Sequence, residues 1–501
     1  MISNKFLGKD YRKLLEYNVG EAIVTILGYK GKGYYMIQEP KLESDAQETY
    51  NILIDYLYKS LKPLYTEKDP IGYIEGVLEE VAEELGVKEK YEKYYNILHY
   101  YILRDLIGYG KIDVPMKDPR VEELAVEGPG IPVAIVHRDV SEYPWLDTNI
   151  YFNSEEELRA YVQKLALRSG KHISTAYPIL ETRLPEGHRA ALTLSKEVSG
   201  RGSSFVIRKF PEQPLTITHL LTLNTLSPLE AAYLWLIVEA QGLIFIIGAM
   251  ASGKTTLLQS LTTLIPPDSR VITVEDTPEL RLPHEHWDPL YTRRSYNPAE
   301  KWMNIDLHTL VKFAWRRRAE YIIVGEVRGE EVQVLVQASA SGHGGLTTLH
   351  ADTVDSMMVR LMSPPLNVKH SFLTLIWCIA VMKRLRDIRT HRIIRRLTNI
   401  YELKVEGNHI KPIEIFSWNP QLDKHLPENP YDVYEKSFRL KTLAKRYGIS
   451  DEEVIVELQT RKEFLEKLVK EDIFDYDNVA LRLFEFYSTK RHGDIFERDK
   501  S

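Results

Sequence analysis

The chain has one cysteine, Cys378, in 501 residues. An internal disulfide is therefore excluded, a reducing compartment fits, and the apolar run around Cys378 predicts a buried thiol. Long hydrophobic runs are missing too. The most apolar stretch, 231–249, is broken by Glu239, Gln241 and Gly242, and 372–382 is too short to span a bilayer. The amino terminus, MISNKFLGKDYRK, lacks the apolar segment of a signal peptide. Charge of one sign is scarce as an excess: 65 Lys and Arg against 71 Asp and Glu leave −6, which gives no global push toward nucleic acid. A cytoplasmic protein of two to four domains is the expectation at this length.

What is present is concentrated in Leu243–Thr256, LIFIIGAMASGKTT. An apolar strand leads into a small-residue loop, and Lys254 and Thr255 open a helix. Gly248, Gly253, Lys254 and Thr255 satisfy the P-loop pattern G-x-x-x-x-G-K-[ST]. Glycines let backbone N–H groups curl around phosphate oxygens, and the helix N-terminus adds partial positive charge. Lys254 can reach β- and γ-phosphates, and Thr255 offers a hydroxyl to Mg2+. Ala251, Ser252 and Thr256 complete the loop and first turn. The pattern predicts a site for ATP with Mg2+.

Around this motif, strand-like and helix-like runs alternate: 243–247, 255–264, 270–274, 307–315, 321–324, 330–341 and 345–349. Such alternation predicts an α/β domain with a mostly parallel sheet and the P-loop at a strand's carboxyl end. The expected organisation is an adaptor region over 1–95, an α+β domain over 96–210, a Pro-containing linker over 211–217, the P-loop domain over 218–415 and a helical region over 416–501. The tail from Arg491 is expected to be mobile.

Three further segments carry chemistry. Strand 270–274 ends in Glu275 and Asp276, where a water-activating base or a Mg2+ partner would sit; a solvated turn is the plainer reading. Strand 321–324 ends in Gly325 and Glu326, and Glu326 is the nearest carboxylate to the place where many NTPases hold Mg2+ through water; a charged helix cap is as good a reading alone. Third, 339–352 reads SASGHGGLTTLHAD, with His343 among glycines and His350 farther along the strand. This spacing makes no convincing metal site. The two histidines are better read as γ-phosphate or interface sensors. His284, Glu285 and His286 read as polar loop.

These segments, in this order after a P-loop, resemble the secretion ATPase superfamily of type II and type IV secretion, type IV pili and their archaeal relatives. P-loop, acidic box, Walker B strand and histidine box look like 248–255, 275–279, 322–328 and 342–350. Gly325 in place of Asp is usual in that family. RDLIGYGKIDVPMKDP, GPGIPVAIVHR, SGKHIS, LPEGHRAAL, KEVSGRGSSFVIRKF and SPPLNV look like its archaeal branch, which includes pilus assembly ATPases and the archaellum motor.

The resemblance implies a RecA-like ATPase domain, ring-shaped homohexamers and ATP between subunits. Glu275 matches the presumed catalytic glutamate, and Glu326 matches the Walker B residue that supports Mg2+ and water. Arg183 and Arg189, in TRLPEGHR, match best the arginines that complete the site; Arg208 is a weaker match. The tripeptide Arg316–Arg318 replaces the usual Arg-Gln-Arg, and Arg317 reads as a surface charge rather than an inter-subunit contact. The implied role is a motor for assembly of a pilus-like filament, acting on a polytopic membrane platform protein from the cytoplasmic face, with membrane contact only through that partner. Archaellum assembly or rotation is the alternative within the family. A nucleic-acid-translocating motor on the same core is the alternative outside it, against the acidic net charge.

Overall fold

Lys30 (φ 46°) and Gly31 (φ 77°) both take left-handed backbone between two strands that pair with Tyr29 opposite Lys32. Positive φ at both turn residues matches the twist of flanking strands, so this short sequence forms a tight hairpin. It lies in the first of two units into which the chain divides, Met1–Pro211 and Glu212–Ser501. The computed structural model describes residues 11–61, 69–140, 142–210, 213–293, 302–387, 393–406 and 409–490. Linker residues 211–212 and the tail expected to be mobile lie outside the described residues.

The first unit holds strands β1 (Arg12–Val19), β2 (Ala22–Tyr29), β3 (Lys32–Gln38), β4 (Val121–Val126), β5 (Pro132–His137), β6 (Leu146–Tyr151), β7 (Ile179–Arg183), β8 (Arg189–Thr193) and β9 (Ser204–Arg208). They form one sheet in the order β1-β2-β3-β6-β5-β4-β9-β8-β7. All neighbours are antiparallel except β3 and β6, which run parallel. The border drawn at 95/96 from sequence falls in the first turn of helix Tyr95–Leu106, and this sheet takes strands from both sides of it. Helix Glu155–Arg168, N-capped by Ser154, packs its apolar stripe (Leu158, Val162, Leu165) into the sheet's core with Phe205 and Ile207. Four helices over 44–106 form a smaller core around Leu53, Leu57, Leu78 and Ile102.

The second unit holds β10 (Leu243–Ile247), β11 (Val271–Glu275), β12 (Trp287–Tyr291), β13 (Tyr321–Val324), β14 (Gly344–Leu349), β15 (Ile376–Arg386), β16 (Ile393–Glu406), β17 (His409–Asn419) and β18 (Lys424–Leu426). Their order is β12-β11-β13-β14-β10-β15-β16-β17-β18. The six strands from β12 to β15 are parallel, and an antiparallel extension follows. β10 is buried at every residue. Strand alternation sends Ile244 and Ile246 to one face and Leu243, Phe245 and Ile247 to the other, so each face builds its own core. One face carries helices Pro228–Glu239 and Lys254–Thr262. The other carries Leu307–Trp315, Glu331–Ala340 and Val354–Met362. This is the RecA-like α/β arrangement, with β14 standing between the P-loop strand β10 and β13.

The helical region drawn from 416 begins later, because β17 runs to Asn419 and β18 follows. Four helices then close the unit: Pro430–Lys436, Phe438–Tyr447, Asp451–Lys470 and Tyr476–Lys490. They are integral to it. Arg461, 1% exposed, pairs with Glu239 at 2.5 Å and lies over the Trp235 ring, both on the helix that precedes β10. Among the described residues no helix is long and apolar enough to cross a membrane.

Candidate active site

β10 delivers the chain to Gly248, whose φ is 154°. A Cβ there would stand 2.2 Å from the Met382 carbonyl oxygen and 2.6 Å from Ser252 Oγ, so only glycine fits. Ala251 follows in left-handed backbone at φ 59°, a strained state for a residue with a side chain. Its carbonyl accepts a hydrogen bond from Arg395 Nε of β16 at 3.1 Å, which fixes the strained turn. Gly253 (φ 95°) then caps the helix that Lys254 opens. Thr255 and Thr256 are half-buried in its first turn.

Lys254 is 7% exposed. Its ammonium donates to the carbonyls of Gly248 (3.0 Å) and Ala249 (2.7 Å), and to His350 Nδ1 (3.2 Å). An ammonium has only donors, so His350 Nδ1 is the acceptor and its proton sits on Nε2. That N–H faces Glu326 Oε1 at 3.0 Å. The other carboxylate oxygen of Glu326 accepts from Arg328 at 2.5 Å, and Arg328 lies 3.8 Å from Asp276. One continuous chain of polar contacts therefore joins the P-loop, the end of β14 and the end of β13. Burial lowers the Lys254 pKa, and burial followed by the Lys254 charge lowers that of His350, which keeps the imidazole neutral. The Glu326 contact raises that of Arg328.

Glu275 closes β11 and is 3% exposed. Its Oε1 accepts from the backbone amides of Glu279 (2.9 Å) and Leu280 (3.1 Å). Gly325 lies alongside it. A Cβ at 325 would meet Glu275 Cγ at 3.2 Å, so the glycine at the position usually given to aspartate makes room for the glutamate of the neighbouring strand.

A cleft of about 380 Å3 opens here, lined by Gly248, Ala249, His350, Asp352, Ser356 and Arg360. Arg360 donates to the His350 carbonyl at 2.5 Å. Neither Arg360 nor Arg395 belongs to a local motif, and only the fold brings them to the P-loop. Ser252 Oγ is buried without a hydrogen-bond partner among the described residues. A glycine cradle, a buried ammonium turned onto carbonyls and an unbonded hydroxyl in the loop fit a phosphate chain. Among the described residues no three His, Cys, Asp or Glu side chains could hold a metal together. A Mg2+ ion would thus depend on phosphate oxygens beside the Thr255 hydroxyl and Glu326.

The structure does not bring every expected residue to this place. His343 precedes β14 at its amino end, and its Nδ1 donates to the Ala319 carbonyl at 2.5 Å. Six residues of strand separate it from His350, seven steps of about 3.3 Å or about 23 Å in all. Arg183 and Arg189 belong to the first unit, where they stand directly opposite each other on β7 and β8. Arg183 Nε donates to the Gly187 carbonyl at 3.0 Å, and Arg189 pairs with Glu181 at 3.3 Å. Arg317 pairs with Asp288 within the second unit. His284, read as polar loop, is 5% exposed, and burial lowers its pKa.

Comparison with known proteins gives this geometry its context. The uncharacterized protein MJ0900 of Methanocaldococcus jannaschii is 33% identical over 512 aligned residues, which cover 95% of this chain and 89% of that one. The type IV secretion system protein VirB11 of Brucella suis is 29% identical, over 49% of this chain and 73% of its own. Among solved structures, the Legionella pneumophila ATPase DotB aligns at 18% identity and a TM-score of 0.42, over 76% of this chain and 94% of that chain. The family profile described as type II/IV secretion system protein matches residues 138–425, more than half of the sequence. The chain belongs to the type II/IV secretion system protein family.

Proposed function

We propose that the chain is an ATP-hydrolysing motor that works as a homohexamer and powers assembly of a type IV pilus-like filament. The observation that carries the reading is the chain of contacts Lys254–His350–Glu326–Arg328. It links the phosphate-binding loop to the ends of two other strands, so a change at Lys254 reaches Glu326 through the His350 ring.

On this reading Lys254 exchanges the Gly248 and Ala249 carbonyls for phosphate oxygens. His350 Nδ1 then loses its donor, and Glu326 is left to the His350 N–H and Arg328. Mg2+, held by the Thr255 hydroxyl and by Glu326 through water, supplies Lewis-acid polarisation of the phosphates. Glu275 orients the attacking water and accepts its proton. Gly248, Ala251, Ser252, Gly253 and Thr256 form the cradle. Arg183 and Arg189 offer guanidinium groups to nucleotide held by a second copy of the chain, as arginine fingers do. His343, remote from the P-loop of its own chain, is kept here only as a sensor at an interface between copies. The partner that converts closure into work is a polytopic membrane platform protein at the cytoplasmic face, and the chain contacts the membrane through it.

The test is nucleotide turnover by the purified full chain, measured with its mass in solution. Hydrolysis by a species six times the chain mass supports the reading. Hydrolysis by a monomer, or turnover stimulated by DNA and suppressed by salt, contradicts it.

A further inference from the structure

The loop that follows Glu275 is fastened from two sides, and one fastener comes from the far end of the chain. Gln259 lies on the P-loop helix, 5% exposed. Its amide brackets the backbone of Arg281: Nε2 donates to the Arg281 carbonyl at 2.6 Å, and Oε1 accepts from the Arg281 amide at 2.8 Å. Tyr476, the first residue of the last helix and 1% exposed, donates its hydroxyl to the same carbonyl at 2.5 Å. The Arg281 guanidinium sits 5.4 Å over the Tyr476 ring and 3.4 Å from Asp477. Farther along, His284 donates Nε2–H to the Ile265 carbonyl at 3.1 Å and packs edge-on against Phe484. Tyr487 donates to the Leu264 carbonyl at 2.7 Å, which fixes the last helix to the end of the P-loop helix.

This arrangement is unusual for a connecting segment, because loops commonly direct their backbone groups to water. Here buried side chains from two helices hold both backbone groups of one loop residue. That residue is the immediate neighbour of Leu280, whose amide, with that of Glu279, holds the Glu275 carboxylate. Displacing Arg281 must displace Leu280 N–H and, with it, the carboxylate. We propose that the last helix, Tyr476–Lys490, is a strap on the acidic loop, with Gln259 and Tyr476 as positioning residues for Glu275. The role rests on the reading of Glu275 as the hydrolytic carboxylate. The strap lies beyond residue 425, where the family match ends.

The experiment uses the full chain with Tyr476→Phe, which removes one hydroxyl, and separately Gln259→Met, which keeps the length but not the amide. Steady-state ATP hydrolysis and backbone hydrogen exchange are measured for each. Both variants are expected to lose about tenfold in kcat with KM within about twofold, as for a misplaced catalytic group. Exchange should quicken at the amides of 276–286 and stay unchanged in β10 and β13. Wild-type kcat in both variants, beside an active parent, overturns the strap and leaves the ATPase reading standing. A kcat loss with faster exchange throughout β10 and β13, or with none in 276–286, also overturns it. A parent chain that binds ATP without hydrolysing it overturns the functional reading and the strap together.

Discussion

The strand ends of the second sheet and one edge of the first hold their charged residues differently. In the second unit the charges at the strand ends are matched to one another: Lys254 to His350 and two carbonyls, Glu326 to His350 and Arg328, Glu275 to two amides. In the first unit Arg183, Arg189 and Arg208 stand directly opposite one another across β7, β8 and β9. Arg183 and Arg208 are exposed. Like charges directly opposite on neighbouring strands destabilise a sheet. A set of matched charges supports the fold that holds it. The arginine row, in which Arg189 pairs with Glu181 at 3.3 Å, supports its sheet less, and on the proposed reading it meets an anion.

The largest effect expected from this contrast is in the arginine row. Arg183→Ala with Arg189→Ala should lower kcat by about a thousandfold while nucleotide binding survives, the scale of a lost arginine finger. Circular dichroism should match the parent, and unchanged turnover would return the row to plain solvated surface. Next comes the matched set. Glu275→Gln should still bind ATP and turn over about a hundredfold more slowly, the scale of a lost general base. A parental rate would remove Glu275 from the chemistry. Smaller again is Gly325→Ala. The new methyl meets Glu275 Cγ, so the carboxylate must move by a few tenths of an ångström, and kcat should fall about tenfold with affinity retained.

The smallest effect concerns a matched pair away from the site. His425 Nδ1 faces Glu230 at 2.9 Å, both side chains buried, and Nε2 faces the Asn224 carbonyl at 3.3 Å. Both partners are acceptors, so the ring carries both protons. Burial pulls its pKa down, but the hydrogen bond and charge of Glu230 together with the Asn224 carbonyl outweigh burial and raise it above 6.5. A raised folded value means that this stabilisation is complete below about 6.5 and is lost as pH rises through the folded value. Urea unfolding followed by tryptophan fluorescence reports mainly the second unit, since every tryptophan except Trp145 lies there. Stability should decline on the alkaline side of neutrality, and His425→Gln should flatten that decline. An unchanged slope would show that His425 is not its source.

How much of this was legible in the sequence depended on whether a feature is local. The strand–loop–helix around Lys254 could be read because its glycines answer to a local steric demand. Helix Leu307–Trp315 could be read as one of the helix-like runs that alternate with strands. Alternation along a strand tells which face a residue takes but not which end of the sheet it reaches. His343 and His350 therefore looked alike in sequence and are about 23 Å apart along the strand. Pairing between distant segments was invisible. β3 joins β6 across more than a hundred residues, and the antiparallel β15–β18 extension brings Arg395 to Ala251. Gln259 and Tyr476 carried no signal at all, because their partner is the backbone of Arg281 and backbone groups leave no mark in a sequence.

On the proposed reading Lys254 holds a nucleotide which this chain hydrolyses. The decisive measurement is ATP turnover by the full chain with Mg2+, beside Lys254→Ala prepared in the same way. Turnover is expected in the parent, with a loss of at least about a hundredfold in the variant. Equal turnover in the two proteins would contradict it.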